Sequence, residues 1–344
     1  MANIDQTISK DKFQPAIMDH SKHEVIVKPS LNFWQDAWLR VRKNKGAIVS
    51  LVLIALLIIM AFVGPLISGK DADAQNVKHA NLPAKIPVLE NVSWLPFDGT
   101  MKNKAGTEVD MYKVKKVDED TYYWFGTDSL GRDLFTRLWE GTQISLYIAF
   151  LAAFIDMVIG VAYGAISGYF GGRVDNIMQR ITEILMGIPN LVVVVLMILV
   201  LEPGILSITI ALSVTGWVSM ARVVRAQTMK LKEQEFVLAS RTLGNSNAKI
   251  IFKHLVPNLA GVIIINTMFT IPSAIFFEAF LSFIGLGLQA PAASLGTLID
   301  DGYKALLTYP HMLIFPAIAI SLIMICFNLM ADGLRDALDP KMRD

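Results

Sequence analysis

Residues Glu235 to Asn258 read EFVLASRTLGNSNAKIIFKHLVPN, a basic and partly apolar stretch set between two long apolar runs. A short helix is predicted from Glu235 to Leu243, ended by Gly244-Asn245, because glycine adopts freely the left-handed conformation that closes helices. Ser246 or Asn247 can then cap the start of a second helix running to His254. Two short helices with apolar faces, lying outside a membrane, need something to cover those faces. The cover is either the neighbouring spans of the same chain or a soluble partner.

Working outward, the 344 residues are 53% hydrophobic and only 18% charged, which places the chain in the membrane class. Crossing about 30 Å of hydrocarbon takes roughly 20 apolar residues in a helix. Runs of that kind are Gly46 to Ile67, Ile144 to Ser167, Ile181 to Leu201, Ile205 to Ala221, Leu259 to Phe283 and Met312 to Met330. The expected fold class is all-α, a polytopic membrane protein with about six transmembrane helices. The third and fourth runs, separated by Glu202, Pro203 and Gly204, form a hairpin. The first run follows about 45 polar residues and precedes no small-x-small cleavage site, so it reads as a retained span and not as a signal peptide.

Basic residues in short loops are held on the cytoplasmic side. Arg40, Arg42, Lys43 and Lys45 precede the first span, Arg173 and Arg180 follow the second, Arg222 to Lys253 supply seven more, and Arg335, Lys341 and Arg343 follow the last. Both termini are therefore expected in the cytoplasm, with the long segment from about Ser68 to Gln143 outside. Residues 1–30 read as a mobile cytoplasmic tail. Residues 31–68 hold a helix with Leu31, Trp34, Trp38 and Val41 at helical spacing, followed by the first span. That helix either lies on the cytoplasmic leaflet or simply extends the span.

The second span carries Gly160, Gly164 and Gly168 four residues apart, a face on which another helix backbone can approach closely. Pro189 and Pro272 fall inside spans and are expected to bend them. Asp156, Glu183 and Glu278 lie within or at the ends of spans, where a charge is costly enough to propose a function. Asp156 and Glu278 are candidates for a substrate path. The bland alternative for Glu183 and Glu278 is an interfacial position or pairing with an arginine such as Arg180.

Catalytic signatures fall away. Gly126 to Asp133, GTDSLGRD, has the glycine spacing of a phosphate loop but carries Arg132-Asp133 where Lys-Ser/Thr belongs, and no strand precedes it. Gly285 and Gly287 end a membrane span and do not join a strand to a helix. The single cysteine, Cys326, has no thiol to pair with, and the five histidines are scattered. Neither a catalytic centre nor a metal site is expected.

The opening stretch resembles the cytoplasmic loop of ABC-importer permeases, whose pattern is E-A-A, then glycine, then I-x-L-P at fixed spacing. Leu238, Ala239 and Ser240 stand at the E-A-A positions, Gly244 at the glycine, and His254, Val256 and Pro257 at I, L and P. Glycine and proline are in register, whereas Leu238, Ser240 and His254 depart from the pattern. FGTDSLGRDLFTRLWEGTQISL from Phe125, SGYFGGRVD from Ser167, FFEAFLSFIGLG from Phe276, DGLRDALDPK from Asp332 and the N-terminal FWQDAWLRVRKNK from Phe33 are similar to the C-type permease subunit of oligopeptide and dipeptide importers. Residues from about Asp71 to Asp120 look like an insertion relative to shorter members.

The resemblance implies a type I ABC-importer permease fold, with residues 69–124 as an extracytoplasmic loop and 125–344 as the core, including a coupling loop at 222–258. It implies a bacterial cell-membrane complex with a second, different permease subunit, two ATPase subunits and an extracytoplasmic peptide-binding protein. Peptide would be the substrate, and lipid but no nucleic acid would surround the chain. This chain would bind no cofactor, ATP and Mg belonging to the ATPases. Coupling would run through Glu235, Ala239, Ser240, Arg241, Gly244, His254 and Pro257. An ion-coupled secondary transporter using Asp156 or Glu278 is the alternative from another class, and it would normally show more spans and an inverted repeat.

Overall fold

The computed structural model describes residues 32–87, 89–92, 94–102 and 106–338. The expected tail at 1–30, Leu31, Lys341 and Arg343 lie outside the described residues. Helix α1 (Phe33–Lys43) is separate from α2 (Lys45–Ser68), because Asn44 is extended between them and its side chain accepts from the Ala47 amide. It is no simple extension of the span. Val41 packs inward with Ala47 and Ala337, while Trp34 and Trp38 stay exposed.

Residues 69–133 then form a small layered cap with the short hairpin β1 (Thr100–Lys102) and β2 (Glu108–Asp110), followed by the single turn α3 (Met111–Val114). The long α4 (Leu134–Phe170) follows, then α5 (Gly172–Gly187), α6 (Asn190–Leu201) and α7 (Ile205–Leu231). Helix α8 (Glu235–Thr242) leads through the turn α9 (Asn247–Lys249), a π-helical turn at Ile250–Leu255 and α10 (Val256–Asn258) into α11 (Ala260–Phe283). Helices α12 (Leu295–Ala305) and α13 (His311–Leu338) complete the described chain.

Five helices, α2, α4, α7, α11 and α13, are long and apolar enough to cross a membrane, and the bent pair α5 and α6 makes a sixth if counted as one span. Several boundaries differ from the sequence reading, the last span among them, which runs on to Leu338. The second span starts at Leu134 instead of Ile144, because Asp133 caps it by accepting from the Thr136 amide at 2.9 Å. The third is two helices meeting at 82°, since Ile188 before Pro189 is held extended and α5 must end there. The fourth runs on to Leu231, so the coupling loop begins as a continuation of a span.

Helix α4 is the spine. Its glycines meet α7: a Cβ on Gly160 would overlap Met220, one on Gly164 the Ala221 carbonyl, and one on Gly168 the Arg225 carbonyl. Bare backbone at these places lets the two helices touch along most of their length. The main apolar core joins α2, α4, α11, α12 and α13 through Leu57, Trp139, Ala149, Ile275, Leu295 and Ile323. Cys326 is buried in it.

The GTDSLGRD stretch is a packing corner. Gly126 and Gly131 both have positive φ, and a Cβ on either would overlap a backbone carbonyl of the cap, that of Leu82 or Asn76. Asp128 pairs with Arg132 at 2.6 Å, and Arg137 donates to the Ala72 and Pro291 carbonyls at 3.2 and 3.3 Å. The glycine spacing that imitates a phosphate loop thus fastens the cap to the top of α4.

Candidate functional site

The described chain presents two places of chemical interest: the α8–α10 surface at one end of the bundle, and a polar cavity among the spans.

Helix α8 ends in a Schellman arrangement. Gly244 has φ +77°, its amide donates to the Arg241 carbonyl at 3.0 Å, and the Asn245 amide donates to the Ser240 carbonyl at 3.3 Å. Ser240 is buried, and its hydroxyl accepts from Asn245 Nδ2 at 3.0 Å. Ser246 accepts from the Lys249 amide and starts the next turn. The expected second helix to His254 is an α-turn followed by a wider π-turn, which brings Ile250, Ile251 and Leu255 onto one side.

Both covers weighed for the apolar faces bear on this segment. Val237, Ile250, Ile251, Leu255 and Leu259 pack on Val161, Ala165, Tyr169, Met220 and Val224 of α4 and α7. The opposite face leaves Phe236, Leu238, Leu243 and Phe252 exposed, Leu243 to 81%. Burying each of these would be worth about 1.5–3 kcal/mol, and they cluster with Glu235, Arg241, Lys249 and Lys253 at the bundle end. A mixed apolar and charged patch of this kind suits a protein partner.

The remaining loop candidates are placed as follows. The Arg241 guanidinium lies over the Tyr169 ring, 5.5 Å from its centroid, and Tyr169 Oη donates to Asn247 Oδ1 at 2.8 Å. Ala239 and Glu235 are exposed, His254 is half-buried, and Pro257 is the second residue of α10. Behind the loop, Arg225 grips Asp175 through Nε and Nη2, both at 2.5 Å, and Ser167 Oγ donates to the same carboxylate. Lys232 donates to the Gly168 carbonyl at 2.9 Å. These contacts join the ends of α4, α5 and α7 under the loop. Sequence reasoning passed over them, although SGYFGGRVD already contained Asp175.

The two carboxylates expected on a substrate path sit in different surroundings and are not brought together. Glu278 is fully buried, with no arginine beside it; Ser145 and Ser282 donate to its two oxygens, each at 2.9 Å. Ser145 Oγ in turn accepts from the Leu295 amide, so the carboxylate fastens α4, α11 and the start of α12. Glu183 follows the bland reading, exposed and paired with Arg180 at 2.8 Å. Asp156 lines a cavity of about 330 Å³ between α4, α6, α7 and α11. It is 6% exposed and lies flat against Gly216, where a Cβ would overlap its carboxylate.

In the cap, the aromatic residues are mostly turned inward. Tyr123 is buried with Lys70 3.6 Å above its ring, and Phe97 stacks on Phe315. Trp94 alone of this group is well exposed, at 80%. Burial pulls the Lys70 ammonium below its ordinary value, against the opposing pull of Asp133 at 3.7 Å. Among the described residues no cluster of His, Cys, Asp or Glu could hold a metal ion.

Comparison with known proteins bears on all of this. Residues 160–344 match the model described as the binding-protein-dependent transport system inner membrane component. Residues 32–84 match the N-terminal TM domain of oligopeptide transport permease C. The oligopeptide transport system permease protein OppC of Bacillus subtilis is 45% identical over 338 residues, covering 98% of this chain and 99% of its own. The dipeptide transport system permease protein DppC of Lactococcus lactis subsp. cremoris is 48% identical over 325 residues, covering 92% and 93%. Among solved structures, the MetNI methionine ABC transporter in its inward-facing conformations aligns over 58% of this chain and 95% of that one, at 20% identity and a TM-score of 0.47.

Proposed function

We propose that this chain, which belongs to the family of binding-protein-dependent transport system inner membrane components, is the multi-pass permease subunit of an ATP-driven importer that carries oligopeptides across a bacterial cell membrane. Relatives named as oligopeptide and dipeptide permeases, matched over nearly their whole length, support the substrate class. The observation that carries the mechanism is the α8–α10 patch, folded onto α4 and α7 by one face and uncovered on the other.

One of the two ATPase subunits would seat on Phe236, Leu238, Leu243 and Phe252, and the other on the second permease. Their closure would push α8 against α4 and α7, and the bundle would tilt between inward-open and outward-open arrangements. The chain itself would perform no chemistry. ATP and Mg would bind the ATPases, and a second, different permease would complete the pore. A peptide-binding protein would dock on the cap end, leaving both termini in the cytoplasm. The net effect is differential stabilisation of two arrangements by nucleotide and by the loaded binding protein.

Co-purification of ATPases with this chain, and reconstituted uptake of a labelled oligopeptide, test the reading. Uptake should stop on ATP depletion and persist when the proton gradient is collapsed. Uptake that follows the proton gradient instead would favour the secondary-transporter alternative.

A further inference from the structure

The cavity beside Asp156 is one-sided in charge. Among the described residues lining it there is no Lys, Arg or His, and Asp156 is its one ionisable group. One carboxylate oxygen, Oδ1, is buried without a partner, while the other faces the backbone of Gly216. A buried carboxylate left in this state is costly, and a ligand that supplies donors relieves the cost.

Three of the neighbouring hydroxyls and one amide N–H have already committed their protons elsewhere. Thr270 Oγ1 donates to the Asn266 carbonyl at 3.0 Å, Ser273 Oγ to the Phe269 carbonyl at 2.9 Å, and Thr215 Oγ1 to Asn190 Oδ1 at 3.0 Å. Asn266 Nδ2 donates to the Val262 carbonyl at 2.8 Å. The three hydroxyls thus keep acceptor lone pairs, as does the Asn266 amide oxygen, while Asn190 Nδ2, the second Asn266 N–H and Ser219 Oγ can still donate. Phe269 and Phe277 complete the wall, and aromatic faces also favour cations. A carboxylate or phosphate would find no cation here and would face the Asp156 carboxylate, whereas a group with several N–H bonds and a positive charge would find an anion, acceptors and rings.

Resting on the reading of the chain as a peptide-importer permease, we propose that the Asp156 cavity is a transit stop for the primary ammonium group of the peptide in passage. The ammonium, a donor of three hydrogen bonds and an acceptor of none, matches the lining in charge and in hydrogen-bond sense. The peptide's carboxylate end has no matching cradle in this cavity, so the substrate would pass with its amine held here.

A carbodiimide cross-link tests this directly in the purified complete complex. The Asp156 carboxyl adds to a water-soluble carbodiimide to give an O-acylisourea. An amine held beside it attacks the acyl carbon, forming an amide as the urea leaves. Trialanine amide should become attached to Asp156, as read by peptide mass spectrometry, and N-acetyl-trialanine amide should not. N-acetyl-Ala-Lys-Ala amide separates a side-chain ammonium from the N-terminal one, and attachment of either free amine supports the ammonium chemistry. The assay reads the site whether or not the preparation imports peptide, so its result is separable from that of the uptake assay.

Asp156→Asn, which keeps shape and removes charge, should slow trialanine uptake about tenfold, the equivalent of one charge-assisted hydrogen bond. The concentration of loaded binding protein at half-maximal rate should not change. A missing adduct at Asp156, or wild-type uptake by Asp156→Asn, overturns the proposal.

Discussion

Glu278 shows how a residue that advertises function in sequence can turn out to hold the fold together. Its carboxylate accepts from Ser145 and Ser282, and through Ser145 it reaches the Leu295 amide, so three elements share one anchor. Glu278→Ala should destabilise the chain by about 2–5 kcal/mol, through a cavity and two stranded hydroxyls. Glu278→Gln, which keeps a carbonyl acceptor, should cost less than half as much. Thermal unfolding of the purified subunit in detergent measures both, and equal stability of wild type and the alanine variant would remove this role. Gly164 makes a complementary case at the α4–α7 contact, where a single methyl would meet the Ala221 carbonyl. Gly164→Ala should destabilise by about 1–3 kcal/mol in the same assay. Both residues were visible in the sequence, as an intramembrane acid and as one of a glycine series. Of the serine partners of Glu278, Ser282 stood at a legible i, i+4 spacing, whereas Ser145, 133 residues away, had nothing in local pattern to join it.

At the scale of elements, the parts governed by local chemistry were legible and those governed by packing were not. The end of α8 at Gly244 followed from cap chemistry alone, and the structure has the left-handed glycine and both Schellman bonds. The start of α4 was missed because Arg137 and Glu140 interrupt the apolar run, although Asp133 caps the helix and the Arg137 charge is tied to the cap's backbone. Pro189 announced a bend, but the 82° between α5 and α6 depends on how α6 packs against α7. The π-turn at Ile250–Leu255 has no local sequence cue and serves to aim three apolar side chains at the bundle. From the cap geometry, Gly244→Val should misplace α8 relative to the turns that follow, at a cost of about 1–2 kcal/mol for forcing a β-branched residue to positive φ. No atom crowds a Cβ at Gly244, so the effect is conformational and confined to the loop. The subunit should insert and unfold like wild type, yet lose its ATPases or couple their hydrolysis poorly. Near-normal uptake with ATPases bound would show that coupling does not depend on this turn.

For the whole molecule, the arrangement places the cap and the α8–α10 patch at opposite ends of the α4 spine, because the cap is fastened at Asp128–Arg137 and the patch at Val161–Tyr169. The proposed orientation therefore has a simple topological consequence. With Cys326 replaced by alanine, a cysteine at Lys113 should label with an impermeant thiol reagent in intact cells, and one at Lys249 should label only after permeabilisation. Labelling at Lys249 in intact cells contradicts this orientation, and labelling there without labelling at Lys113 would reverse it. The cap was legible only as an insertion, since its body comes from long-range contacts such as Leu82 with Tyr112 and Phe97 with Phe315.

The central claim is that ATPases press on the uncovered face of α8, and Leu243, exposed to 81% at its end, is the place to ask. A Leu243→Cys variant in the Cys326→Ala background, purified with its partners, labelled with a maleimide-benzophenone reagent and irradiated, reports the contact, because the thiol adds to the maleimide and the photoexcited ketone inserts into a neighbouring C–H bond. The account predicts that this cysteine cross-links to an ATPase subunit, and that a cysteine at Trp94 in the cap does not. ATPases that co-purify yet cross-link at neither position, or at the cap, would contradict it.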